Sequence, residues 1–262
     1  MNIAYPLNEL SAYVKYYWEL SSCNSSHTCM SHRVIPDGLH TIYFYFSAIP
    51  QLKGLSSAIE SNIFFSGRTT SFYDLDIKGA IDLFAVTLQP LGAARLLGKS
   101  LQESLNHMLT LSDLLGESTN KLEDEMNHAT DFNSRIASVE SFLVERLLKT
   151  EQPYHFNSVN ASLISLETKA SIANDKIALS QRQQQRQFKQ LMGISIKAFE
   201  RIVRFQKALY LKEKNPSCDI QTLVEECAYF DQAHMIHDFK KMSGYTPNSY
   251  FKTCDLHSDY FS

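Results

Sequence analysis

One pattern near the C-terminal end recurs, and it restricts the fold of this chain more than any other feature. Leu179-Ser180 is followed by Arg182, Arg186, Phe188, Lys189 and Gly193; Tyr229 and Asp231 are followed by Met235, His237, Phe239, Lys240 and Gly244. The two phenylalanines stand 51 residues apart, as do the two glycines, and each glycine comes five residues after its phenylalanine. Matching offsets predict two copies of one helix-turn-helix unit, since an internal repeat is stronger evidence than a single motif. In each copy a residue that caps helices (Ser180 or Asp231) precedes a short helix, and the phenylalanine anchors that helix in a core. Between the copies, Ile196–Lys212 reads as one helix, about 25 Å long at 1.5 Å per residue. Two recognition helices on such a spacer can enter successive major-groove segments about one helical turn apart.

The residue types on the outward faces fit that use. Arg182, Gln185 and Arg186 recur at three- and four-residue spacing, and Arg and Gln can reach two groups on a base edge. In the second unit Gln232, Ala233, Ile236 and His237 face outward; Gln and His can hydrogen-bond bases, while Ala and Ile can meet a thymine methyl. Lys197, Arg201, Lys240, Lys241 and Asn248 are placed to meet phosphates, which position a protein without carrying sequence information. Phe188, Met235 and Phe239 read as core anchors and His234 as a packed residue. Arg204 reads equally well as a structural ion-pair partner. A solvated helix face is the competing explanation for the arginines, and the matched repeat weighs against it.

The runs GISIKAFERIVRFQKAL (Gly193–Leu209) and DQAHMIHDFKKMSGYTPNSYF (Asp231–Phe251) resemble the C-terminal domain of AraC/XylS-type transcriptional regulators. The second run carries that family's signature nearly end to end, including Gly244, Thr246-Pro247 and Tyr250. Trp18, Pro36-Asp37-Gly38 and the Pro90–Gly98 stretch resemble the N-terminal domain of one subgroup. The resemblance implies sequence-specific binding of double-stranded DNA, with the N-terminal domain sensing a small-molecule effector or mediating self-association as a homodimer. It also marks departures: Ala178 and Ala228 stand at the turn glycines, Gln184 at a position usually buried as Leu, and Ile196 at a usual Pro. If the turns need positive φ, each Ala costs about 1 kcal/mol.

The N-terminal half has a different pattern. Leu7, Leu10, Tyr13, Val14 and Tyr17 are spaced for a short amphipathic helix over 7–18. His40–Ile49, Ile63–Ser66, Ser71–Ile77 and Ile81–Leu88 read as strands, and Pro36-Asp37-Gly38 as a turn. Residues 20–90 therefore form a small β-barrel or sandwich. Past Pro90 a helix over Leu91–Leu97 stops at Gly98, Ser112 is placed to cap Asp113–Leu115, and Phe132, Ile136, Val139, Leu143 and Leu147 make one apolar stripe. That stripe reads as an internal core face before a dimer seam. The fold class expected is an α+β N-terminal domain joined to an all-α C-terminal domain with two helix-turn-helix units. The boundaries are 1–150 for the regulatory domain, 151–160 for a linker, 161–252 for the DNA-binding domain and 253–262 for an acidic tail.

Charge supports the division. The whole chain is at −3, but residues 1–159 carry 11 basic and 17 acidic side chains while 160–252 carry 14 and 9. A basic module on an acidic remainder suits a polyanion partner. No apolar run approaches the roughly 18 residues of a membrane span, and no leader is evident, so a cytoplasmic protein without a membrane partner is expected. Five cysteines, an odd number, fit reduced thiols. Cys23, His27, Cys29 and His32 are weak metal candidates, because their spacing matches no familiar zinc pattern. No cofactor is expected. Phosphate loops, nucleophile elbows and His-Glu-x-x-His are absent, and scattered carboxylates such as Asp74, Asp76 and Asp82 are ordinary on surface strands, so an enzyme fused to a DNA-binding domain is the least supported reading. A β-unit interior filled by Tyr43, Tyr45, Phe64 and Phe84 would favour protein association alone; a cavity with polar groups would favour sensing.

Overall fold

A computed structural model of the chain describes residues 1–22, 29–55, 61–153, 155–168 and 180–253. Its strands are β1 (Asn2–Ala4), β2 (Val14–Ser22), β3 (Cys29–Val34), β4 (His40–Tyr45), β5 (Gln51–Lys53), β6 (Ile63–Ser66), β7 (Tyr73–Lys78), β8 (Ile81–Leu88) and β9 (Met108–Thr110). They form a six-stranded sheet in the order β1-β2-β8-β4-β6-β9 and a three-stranded sheet β3-β7-β5, with every pair antiparallel. Among the described residues the sheets stay open, so the arrangement is a sandwich and not a closed barrel.

The helix expected over residues 7–18 does not form. Residues 8–13 are turns, and β2 begins at Val14. The three- and four-residue spacing was real, but the run from Val14 on also alternates. Tyr16, Trp18 and Leu20 share one sheet face while Tyr17 takes the other, and pairing with both β1 and β8 settles the competition in favour of the strand. β6 and β8 have the ends expected of them.

Helices cover the far face of the larger sheet. These are α1 (Gly92–Leu97), α2 (Leu111–Leu115), α3 (Asn120–His128) and α4 (Phe132–Lys149). The cap of α2 is Thr110, whose hydroxyl accepts the Asp113 amide at 3.0 Å, and not Ser112, which lies inside the helix. α4 starts with a capping box between Asp131 and Ser134. Its apolar stripe is internal: Val139 and Leu143 are buried, and Phe132 meets Phe84 of β8 at 5.9 Å between ring centroids. The three strand carboxylates are paired, half-buried Asp74 with Arg33, buried Asp76 with Lys53 and half-buried Asp82 with Arg135 of α4.

The C-terminal region is helical: α5 (Phe156–Thr168), α6 (Gln181–Met192), α7 (Ile196–Lys214), α8 (Ile220–Glu226), α9 (Gln232–Ser243) and α10 (Pro247–Thr253). α5 starts inside the stretch expected to be a linker. One apolar cluster runs without a break from Val86 and Phe84, through Val139 of α4, to Phe188, Phe205, Phe239 and Tyr250. The two halves are thus packed on a shared core. No helix among the described residues is long and apolar enough to cross a membrane.

Candidate nucleic-acid interface

The first unit presents α6. Ser180 accepts the Gln183 amide, and the Gln183 side chain accepts from the Ser180 amide at 2.9 Å, a reciprocal cap that satisfies two otherwise orphaned donors. Phe188, Leu191 and Met192 are buried on one side. Arg182, Gln185, Arg186 and Lys189 are exposed on the other. Arg182, Gln185 and Arg186 line a groove of about 680 Å³ together with Ser195 and Lys197 at the start of α7. The groove therefore unites the base-reading candidates of the first unit with its phosphate candidate. The scaffold helix expected before α6, with Ala178, lies outside the described residues.

In the second unit α8 packs against α9 through a turn at Ala228. The Tyr229 amide bonds back to Val224 at 2.9 Å and the Ala228 amide to Glu225 at 3.1 Å. This double bond pattern ends a helix with its intermediate residue left-handed, and Ala228 has φ of 56°. Asp231 caps α9 by accepting the His234 amide at 2.7 Å. Met235 and Phe239 are buried. Gln232, Ala233 and His237 are exposed and Ile236 is half-buried. Lys240, Lys241 and Asn248 are exposed beyond them. α6 and α9 each end at a glycine with positive φ, 72° at Gly193 and 82° at Gly244, as the repeat requires.

Two expected positions are engaged inside the fold. Arg201 is bound to the wholly buried Asp238 carboxylate, with Nε donating at 3.0 Å and Nη2 donating as well. Arg204 is structural, but through a carbonyl and a ring: Nη1 donates to Ala228 O at 3.2 Å, and the guanidinium lies 5.2 Å from the Tyr229 ring centre. His234 is half-buried edge-on to Tyr229.

Sequence reading missed how the N-terminal sandwich holds this region. Arg68 is buried and donates to Gly38 O at 2.6 Å, to Pro90 O at 2.5 Å and to Met192 O, the last carbonyl of α6. Arg33 pairs with Asp74 through two bonds of 2.7 and 3.0 Å and donates a third, at 3.1 Å, to Ser243 O, the last carbonyl of α9. The C-termini of α6 and α9 thus each receive a guanidinium from the sandwich, where the carbonyl end of a helix favours a cation. Between them Gln206 of α7 donates to Pro36 O at 2.7 Å. An isolated arginine, on β3 like Arg33 or just past the end of β6 like Arg68, has no periodicity to mark it, so only the turn at Pro36-Asp37-Gly38 was legible beforehand.

A cavity of about 300 Å³ lies between the two sheets. Tyr16, Trp18, Tyr43 and Tyr45 of the larger sheet and Leu75 and Ile77 of the smaller one line it, with Thr41, Thr87, Arg33 and Asp37 as polar members. Burial pushes the Tyr43 hydroxyl well above its ordinary value. Phe64 and Phe84, two of the four residues whose packing would have closed the interior, are packed in the core and do not line the space. Of the weak metal candidates, Cys23, His27 and the Cys29 side chain lie outside the described residues. His32 is half-buried, and no group of three or more His, Cys, Asp or Glu among the described residues is placed to hold a metal.

Residues 174–253 match a family described as a helix-turn-helix domain, and residues 3–110 match a domain of unknown function, DUF6597. No curated protein matches the chain. Among solved structures, ToxT from Vibrio cholerae is similar at a TM-score of 0.46 and 11% identity, covering 90% of this chain and 98% of that one. A ToxT structure from the same organism bound to (E)-4-(8-methylnaphthalen-1-yl)but-3-enoic acid gives 0.46 and 10%, with coverage of 90% and 98%. An unsaturated fatty acid-bound ToxT gives 0.44 and 9%, covering 90% and 94%.

Proposed function

We propose that the chain, whose residues 174–253 match a helix-turn-helix family, is a DNA-binding regulator of the AraC/XylS type and reads two adjacent major-groove segments of an operator under the control of its N-terminal sandwich. The observation that carries this is the pair of capped helices, α6 and α9, each with its anchor residues buried and its polar face exposed. α7, 19 residues long, separates them by a rod of roughly 28 Å. Arg182, Gln185 and Arg186 supply base contacts from the first helix, and Gln232, Ala233, Ile236 and His237 from the second. Lys197, Lys240, Lys241 and Asn248 meet phosphates, and these contacts supply most of the affinity and its salt dependence. The protein works in the cytoplasm, where its operator is.

The cavity between the sheets, largely apolar with a few polar groups, favours a sensing role for the N-terminal domain over one of protein association alone. Arg186→Ala is the sharpest test of the DNA reading. It should weaken specific operator binding by about 1–3 kcal/mol while leaving binding to unrelated DNA nearly unchanged. Fluorescence anisotropy at fixed salt measures both. An equal loss on both DNAs would turn Arg186 into a phosphate contact, and no loss would remove it from the interface.

A further inference from the structure

The Pro36-Asp37-Gly38 turn places a carboxylate at the inter-sheet cavity. Asp37 is exposed, and it lines that cavity. Its Oδ1 accepts the Leu39 amide at 2.9 Å, and it has no ion-pair partner among the described residues. The charge of Arg33, which also lines the cavity, is answered by Asp74. Arg68 attracts Asp37 over a longer distance, but its guanidinium is spent on the Gly38, Pro90 and Met192 carbonyls. The protein packed around this solvent-exposed residue raises the Asp37 carboxyl above its ordinary value, opposed by the Leu39 amide, by Arg68 and last by Lys15.

Around it the walls are aromatic. Trp18 and Tyr43 meet edge to face, 6.1 Å apart at 87°, and Tyr45 lies 6.3 Å from Tyr43. The register sets Ala85 of β8 between Trp18 of β2 and Tyr43 of β4. That small side chain lets the two rings meet across it. At about 30 Å³ per water, 300 Å³ is the space of about ten waters, enough for an amine on one aromatic or aliphatic body.

We propose that this cavity binds a small organic cation, an ammonium group on a compact apolar body, with Asp37 as its counter-ion and the faces of Trp18, Tyr43 and Tyr16 as its walls. The proposal rests on the reading of the N-terminal domain as a sensor and gives its ligand a chemical class. A cation gains from both the carboxylate and the negative ring faces. An anion meets repulsion from each, and a neutral apolar ligand leaves Asp37 desolvated without recompense. Occupancy bears directly on the DNA-binding region, since the carbonyls on either side of Asp37 accept from Gln206 of α7 and from Arg68.

Trp18 is the only tryptophan in the chain, so its emission reports the cavity in the full-length protein. The probes are 2-phenylethylammonium, 2-phenylethanol and 3-phenylpropionate. The ammonium should shift Trp18 emission saturably and bind about tenfold or more tighter than either partner. Asp37→Asn, which keeps an acceptor for the Leu39 amide, should abolish that advantage, and Tyr43→Leu should weaken the ammonium with Asp37 intact; thermal melts show that both variants are folded. The proposal is overturned if the alcohol or the carboxylate binds as well, if folded Asp37→Asn keeps the preference, or if the ammonium leaves emission unchanged. Tight binding of the alcohol or carboxylate would sink the cation and leave the sensor standing. The sensor itself fails if a low-molecular-weight cell fraction never alters operator affinity.

Discussion

Arg201 and Asp238 illustrate what a single side chain can conceal. The spacing on α7 puts Arg201 beside Lys197 on a basic face, which is why it read as a phosphate contact. What the spacing could not reveal is a carboxylate on α9 with no exposed surface. Removing one partner of a buried pair strands the other charge, at a cost of roughly 3–5 kcal/mol. Arg201 keeps some solvent contact, 23% of its side chain, so the lower end applies. Arg201→Ala should destabilise the protein by about 3 kcal/mol in urea denaturation. A variant of unchanged stability that binds DNA less tightly would return Arg201 to the phosphate contacts. The exposed residues Arg182, Gln185, Arg186, Gln232, Ala233 and His237 were legible because helix periodicity alone decides which way they point.

At the level of elements, helices with caps were easier to read than strands. Ser180, Asp231, Gly193 and Gly244 gave the limits of α6 and α9 from local chemistry. β2 was mistaken for a helix because its partners, β1 and β8, come from distant parts of the chain and leave no mark on the local sequence. The turn between α8 and α9 carries a testable consequence of a departure noticed in the sequence. Ala228 sits at φ 56°, where a Cβ is strained by about 1 kcal/mol. Ala228→Gly should raise the midpoint of thermal unfolding slightly, with a net gain of up to about 0.6 kcal/mol once the looser unfolded chain is allowed for. A lower midpoint would mean that the methyl group packs usefully enough to outweigh the strain.

Across the whole molecule the seam between sandwich and helices is polar at its centre. His40 is buried, stacked 5.0 Å from Phe65, with its Nε2 3.2 Å from Arg68 Nη1. Burial first and the Arg68 charge second hold its pKa well below the ordinary 6.5. The folded form therefore refuses a proton that the unfolded chain accepts, so stability is full above about pH 6.5 and declines as pH falls toward the depressed value. One such group contributes a slope of up to about 1.4 kcal/mol per pH unit. His40→Gln should flatten the acid side of the stability profile by up to that amount in denaturant titrations between about pH 6.5 and pH 5. An unchanged slope would show that His40 takes up its proton in the folded state.

The guanidiniums of Arg33 and Arg68 have an implication for anyone recombining such proteins. The angle between α6 and α9 is braced from outside, by the N-terminal sandwich, as a pair of compass legs is set by the hinge above them. Transplanting α6–α10 beneath a foreign sensor would leave the carbonyls of Met192 and Ser243 without their donors. Such a hybrid should tolerate a wider range of half-site spacings than the parent and prefer none of them strongly. Carrying the two arginines across, with β3 and the loop after β6 that bear them, should restore the parental preference.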